Sequence, residues 1–257
     1  MAWKIESGTV NKKKLLATLS LLEASMEPCL TVYMRPDSFP SYLGKLARDG
    51  VEGAGEIAEA VSRDYVAREA DRYGTGAVVF WGQQQKAIVL PPFAIEDTTV
   101  FQERPETSLL RRLLERERTV GVVLVTYGAY AVGVMKGDTL VHAKTGTGHL
   151  HKPHMAGGWS QKRFSRRIER QRVEFLRRVA SRVEENFAAY APDALFLGGN
   201  RQTAKSLIGE SRYLQDRSAL VSPRFFNVRK GDRPALFRTL EDVSASVLLT
   251  LSDDRIP

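Results

Sequence analysis

The long uninterrupted run of helix-forming residues at 162–190 sets the strongest constraint on what this chain can fold into. Phe164, Ile168, Phe175, Val179, Val183 and Phe187 recur in it at steps of four and seven, which places them on one helix face. Pro192 closes the run. A helix of that length is about 43 Å long, and its apolar stripe needs a sheet or a helix layer to cover it. The residues before it supply one. Three strands are predicted at 121–126, 129–136 and 139–145, separated by the turn pairs Tyr127-Gly128 and Gly137-Asp138. Val122 to Val125 is continuously apolar, as expected of a strand covered on both faces. After the helix come a strand at 193–197, Gly198-Gly199-Asn200, a helix at 201–209 and short strands near 219–222 and 225–228. A final helix is predicted over 233–251 from Ala235, Leu236, Leu240, Val243, Val247 and Leu251.

Upstream, Asn11 can cap a helix over 11–27 that carries Leu15, Leu16, Leu19 and Leu22. A strand at 30–34, a loop at 36–42, a helix at 56–72 and strands at 77–81 and 86–90 follow, then a helix at 104–117. Strands and helices mix throughout, which predicts an α/β fold with a mixed sheet flanked by helices. The pattern is read as one domain over 1–257, with its core at 120–251, and 50–55 is the best candidate for a soft boundary.

Charge is distributed unevenly. The chain is formally +8. Residues 144–182 hold eleven Lys or Arg against Glu169 and Glu174, a local +9 that leaves the remainder near neutral. A local positive field attracts a local polyanion. Arg163, Arg167 and Arg170 share one helix face by their spacing, with Lys162 and Arg166 beside them. Cations in the first turn of a helix oppose its dipole, and a phosphate beside them would relieve that. A plain solvated face is the alternative. The single cysteine, Cys29, excludes an internal disulfide framework and suits a reducing compartment; it reads as a small buried hydrophobe. The start of the chain has no long apolar run, and no apolar stretch nears 18 residues. The expectation is a cytoplasmic protein without a signal peptide or membrane span.

His142, His149, His151 and His154 invite a zinc reading, but no Cys or acid lies between Thr139 and Ile168, and zinc sites commonly include one. No metal and no cofactor are expected. Histidines in a basic setting contact RNA phosphates or stack on bases; one of them as a general base is also open. Next comes Gly157-Gly158-Trp159-Ser160-Gln161. The paired glycines let backbone enter a confined site. Gln161 offers a donor and an acceptor, enough to orient water. Trp159 either staples the helix start or stacks on a base. The stretch is neither a dinucleotide fingerprint nor a Walker A loop.

The run GGWSQKRFSRRIERQ, with the glycine-rich loop before it and the long helix after it, resembles the VLRF1 group (Vms1/ANKZF1-like release factor 1). These are release-factor-like proteins related to the catalytic middle domain of eukaryotic and archaeal class I release factors. The resemblance covers about 122–190 and extends to Leu195-Phe196-Leu197-Gly198-Gly199-Asn200. It implies a ribonuclease H-like core and hydrolysis of peptidyl-tRNA held in the large ribosomal subunit. It implies Gly157, Gly158 and Gln161 as the catalytic loop. Trp159, Lys162, Arg163, Arg166, Arg167, Arg170, His149, His151 and His154 would then contact RNA. In eukaryotic release factors Gly-Gly-Gln is consecutive; here Trp159 and Ser160 intervene, as in the VLRF1 group. Cleavage of the peptidyl ester and of a phosphodiester near the tRNA CCA end both stay open, as does a non-catalytic RNA-binding role. The expected biological role is codon-independent rescue of stalled ribosomes or free large subunits.

Overall fold

The computed structural model describes residues 3–25, 27–148 and 159–253. The sequence reads as one domain; the contacts divide the chain into two compact units, Met1–Arg116 with Asp242–Pro257, and Glu117–Glu241. The stretch 50–55, the candidate boundary, lies within the first of them.

The first unit runs β1 (Trp3–Val10), α1 (Lys12–Ala24), β2 (Cys29–Met34), α2 (Ser41–Arg48), α3 (Ala54–Val61), α4 (Asp64–Tyr73), β3 (Ala77–Gly82), β4 (Lys86–Leu90), β5 (Thr99–Phe101) and α5 (Ser108–Glu115). The Asn11 side chain accepts from the Lys14 N–H at 2.8 Å and starts α1, as its sequence predicts. The helix expected at 56–72 is two helices. Ser62 turns its hydroxyl onto the Glu59 carbonyl at 2.8 Å, a local bond that competes with helix continuation, and Arg63 is extended. The strand β1 and the short helix α2 lie in segments whose sequence shows no clear period.

The second unit runs β6 (Thr119–Thr126), β7 (Ala129–Lys136), β8 (Thr139–Thr147), α6 (Trp159–Tyr190), β9 (Ala194–Gly199), α7 (Arg201–Glu210), α8 (Arg212–Asp216), β10 (Val221–Phe226) and α9 (Arg233–Val243). One strand replaces the two expected near 219–228. The chain then returns to the first unit as β11 (Ser246–Asp253). The final helix predicted over 233–251 therefore ends eight residues early. Val243, Val247 and Leu251 satisfy a helical period, but Val247, Leu249 and Leu251 also alternate and are all buried. Pairing with both β1 and β4 settled the period in favour of the strand.

The first unit's sheet has the order β1-β11-β4-β3-β2-β5 and is antiparallel at every pairing. Leu43, Ile57, Val61 and Val66 from α2, α3 and α4 cover one face. Leu15, Leu19 and Leu22 of α1 and Leu110 and Leu114 of α5 cover the other. Cys29 is buried, and that burial pushes its thiol pKa up. An ion pair joins α1 to α5: Arg111 Nε donates to Glu23 Oε1 at 2.8 Å. The Arg111 hydrogen bond, then one from Thr107, holds the Glu23 pKa below its ordinary value. A lowered carboxylate pKa stabilises the fold above the unfolded value, and that contribution disappears as pH falls through the folded value. Glu23→Gln should therefore lower the unfolding midpoint modestly at pH 7, because the pair is partly exposed. The gap between the two proteins should close as pH falls below about 4.3. Urea unfolding of both proteins across pH 3 to 7 checks this; a constant gap would dismiss the pair's role.

The second unit's sheet has the order β10-β9-β6-β7-β8. β6, β7 and β8 form an antiparallel meander. β9 runs parallel to β6, and β10 parallel to β9. The three meander strands and β9 share one sheet, as their apolar patterns predict. Phe175, Val179, Val183 and Phe187 of α6 are buried against Val123, Val125, Val132 and Val134. Leu236 of α9 lies at 3.1 Å from where a side chain on Gly133 would begin. Gly133 sits between Val132 and Val134, so α9 covers the opposite face.

Candidate nucleic-acid interface

The packing of α6 orients it along the sheet. Near its end, Phe187 meets Gly121 at the start of β6. At its middle, the Phe175 ring lies 6.1 Å from that of Tyr130 at the start of β7. Phe175 also fills the space a side chain at Gly148 would need, 2.5 Å from the ideal Cβ position. Gly148 donates to the Gly128 carbonyl at 2.8 Å and so closes the strand beside the β6–β7 turn. The buried part of the stripe therefore begins where the sheet ends. α6 carries sixteen further residues, 159–174, before Phe175, about 24 Å of helix. Ile168 in that part is only half-buried and takes no part in the core. Of the predicted stripe, Phe175, Val179, Val183 and Phe187 pack on the sheet, Ile168 stands outside that core, and the side chain of Phe164 lies outside the described ones.

Helix α6 begins at Trp159, three residues before its expected start. Nothing from Trp159 to Arg163 breaks a helix. Trp159, Gln161, Lys162 and Arg163 thus have backbone positions in the first turns of α6. β8 continues to Thr147, so Gly146, expected in the loop, is paired with Tyr130 in the sheet. His149, His151, His154, Gly157 and Gly158 lie outside the described residues. His142 separates from this group: it lies on β8, paired with Val134 of β7, and its ring lies 5.6 Å from Tyr190 at the far end of α6. Its Nε2 is buried without a hydrogen-bond partner among the described residues.

The arginines of α6 divide into two sets. Arg172 donates to Ser206 at 3.1 Å, and Arg177 pairs with Glu210 at 3.0 Å, both on α7. These two are committed to the helix layer. Arg166, Arg167 and Arg170 are exposed, and none of them forms an ion pair among the described residues. The second unit, 117–241, holds twenty-two Lys and Arg against eleven Asp and Glu, +11. With +8 for the whole chain, the first unit is left at −3. The positive field belongs to one unit and is greatest toward the beginning of α6. Among the described residues no group of three His, Cys, Asp or Glu is placed to hold a metal ion. No helix among them is long and apolar enough to cross a membrane.

The chain resembles archaeal class I release factors along most of its length. It is 24% identical to peptide chain release factor subunit 1 of Thermoplasma acidophilum, over 91% of this chain and 62% of that protein. It is 26% identical to the factor of the same name from Aeropyrum pernix, over 60% of this chain and 44% of that protein. The chain thus spans less than two thirds of the length of these relatives. Among solved structures, an archaeal translation termination factor superposes loosely, with a TM-score of 0.36 at 20% identity, covering 86% of this chain and 67% of that one. These sequence likenesses place the chain in the class I release-factor superfamily. Within it, the profile of the Actinobacteria/chloroflexi VLRF1 release factors matches residues 118–249, just over half of the chain, and the chain belongs to that family. The matched span contains all but one residue at the start of the second unit.

Proposed function

We propose that the protein is a peptidyl-tRNA hydrolase of the release-factor type, acting on peptidyl-tRNA in stalled ribosomes or free large subunits of the cytoplasm. The observation that carries the reading is the start of α6. The helix runs on from the sheet-packed Phe175 back to Trp159, with the backbone of Gln161 in its first turn and the exposed Arg166, Arg167 and Arg170 behind it. Such a helix start suits a narrow RNA-walled site: the arginines contact phosphates, which fix position and register. The sheet adds support. A three-strand antiparallel meander followed by two strands parallel to its first member, in the order 5-4-1-2-3, is compatible with the ribonuclease H-like core expected of a release-factor middle domain and supports the reading.

In this reading the ester joins the nascent peptide to the terminal ribose. Gly157 and Gly158 admit the loop, and Gln161 orients a water at the carbonyl carbon through its amide or backbone N–H. N–H groups of the loop and of the ribosome receive the developing oxyanion. No strong base is required when positioning supplies most of the rate. Trp159, His149, His151 and His154 contact RNA around the loop. The test is product analysis on ribosome–nascent-chain complexes and on isolated large subunits carrying peptidyl-tRNA. Released peptide with tRNA ending in an intact CCA is the expected outcome. A shortened tRNA would replace the reading with nuclease action, and uncut tRNA with unreleased peptide would leave a binding protein.

The arginine face makes its own prediction. Arg163→Ala, Arg166→Ala, Arg167→Ala and Arg170→Ala together should weaken binding to large subunits and flatten its salt dependence. Every phosphate that is no longer neutralised lowers the slope of log K against log salt by about 0.7 to 0.9, so the combined reduction is about three. The folded core should persist, because the described members of this set are exposed. A salt titration of both proteins is the check, and equal slopes would make this an ordinary solvated face.

A further inference from the structure

The end of the second unit's sheet from which the catalytic loop departs is itself a cationic surface with an exposed aromatic. The loop that follows β10 is seated there by Gly231. A side chain at that position would begin 2.6 Å from the Leu124 carbonyl oxygen and 3.1 Å from that of Ala129. The Gly231 N–H donates to Thr126 Oγ1 at 3.3 Å. Residues 229–232 are thereby held against the β6–β7 turn, whose Gly128 also anchors Gly148. The Asp232 side chain accepts from the Ala235 N–H at 3.0 Å and fixes the start of α9. Arg229 and Lys230, just before it, are exposed. Tyr127, at the tip of the same turn, is 51% exposed. Beside it the Asn200 N–H donates to the Val125 carbonyl at 2.9 Å, which delivers Arg201 to the same end; its guanidinium lies 4.6 Å from the Phe225 ring.

The opposite end of the sheet is mixed in sign. Glu117, Asp138 and Asp193 flank the strand ends there, Glu184 and Glu185 lie near the end of α6 and Asp216 on α8, against Arg118, Lys136, Arg182, Arg212 and Arg217. At the loop end Arg201, Arg229, Lys230 and Arg233 stand against Asp232, which caps α9 with one carboxylate oxygen and lies 3.9 Å from Lys230 Nζ with the other. The loop end of the second unit thus carries a local excess of cations, where the far end is close to balanced. A field of that shape orients an incoming polyanion before contact.

We infer that this end face is a second RNA-binding surface, in which Arg201, Arg229 and Lys230 contact backbone phosphates and Tyr127 stacks on an unpaired base. The inference rests on the proposed action at peptidyl-tRNA and gives that site a wall separate from α6. Guanidinium groups suit phosphate oxygens, and an exposed tyrosine on a turn is a platform for a splayed base. An acidic protein segment would use the cations and leave the aromatic idle. RNA uses both.

The test compares the unmodified protein, Arg201→Ala/Arg229→Ala/Lys230→Ala, Tyr127→Ala and Tyr127→Phe, with the Arg166→Ala/Arg167→Ala/Arg170→Ala protein as reference. Binding is measured across a salt series to a fluorescent RNA hairpin with an unpaired CCA end, to the same hairpin with a blunt end, and to polyglutamate. The end-face triple variant should lose at least tenfold in affinity for the CCA hairpin, with the salt slope lowered by about two. Tyr127→Ala should lose about fivefold to a hundredfold on the CCA hairpin, little on the blunt one, and Tyr127→Phe should restore it. Unchanged slopes for the end-face variant beside a lowered slope for the α6 variant would overturn this inference and leave the proposed function standing. Failure of the unmodified protein to bind either hairpin would overturn the RNA reading of both surfaces. Equal losses on polyglutamate would make the end face a general anion surface, which also overturns it.

Discussion

Gln161→Ala should slow peptide release from a stalled peptidyl-tRNA complex about a hundredfold while leaving binding and folding nearly unchanged. The backbone of Gln161 lies in the first turn of α6, fourteen residues ahead of the sheet-packed Phe175. Its side chain can donate and accept, which suits a water held at a carbonyl carbon. An interaction of that type acts at the reacting centre, so its removal lowers the chemical step and not the affinity. Deleting one well-placed polar group of this sort costs about 3 kcal/mol of transition-state stabilisation. Single-turnover release, with binding measured in parallel, reads the effect. Release at the unmodified rate by Gln161→Ala, together with its arrest by a substitution at His149, His151 or His154, would move the chemistry to the histidines.

Phe175→Ala should be the most damaging substitution in the second unit, by about 3 to 5 kcal/mol. The ring is 1% exposed. Among the described residues it is the fully buried apolar side chain of α6 nearest the helix start, and it touches both Tyr130 and Gly148. Its removal leaves a cavity where the loop, the sheet and the helix meet, so release should fall as well. Ile168→Ala is the control: half-buried and outside the core, it should cost about 1 kcal/mol or less. Denaturant unfolding followed by a probe in the second unit separates the two, since the two units need not unfold together. Equal destabilisation by both substitutions would mean that the stripe is packed along its whole length.

Much of the second unit was legible because its signals are local and repeated. The meander at 121–145 is marked by turn pairs between apolar runs, and α6 by an apolar residue on every turn of its packed half. The first unit was less legible. β1 reads as polar because only Val10 of its described residues is buried; it is a strand because β11 pairs with it. The helix α2 is eight residues long, too short for a period to show. The division into two compact units depends on β11, which returns to the first sheet from the far end of the chain, and sequence order carries no sign of that pairing. At the site, Arg201, Arg229, Lys230 and Tyr127 went unread for the same reason. They are scattered over a hundred residues and meet only where strand ends meet.

By itself, then, the sequence determined the α/β mixture, the long basic helix and the loop that precedes it, because periodicity, turn chemistry and charge runs are properties of neighbours along the chain. Tertiary structure alone decided which arginines of α6 are engaged by α7 and which are left bare, and how much of the helix precedes the sheet-packed Phe175. It also decided that 246–253 is a strand, and that the cations of two separate connections gather with Tyr127 at the end of the sheet where β8 stops. Each of these is set by which surfaces the packed sheet leaves uncovered. A residue's own neighbours in sequence do not carry that information.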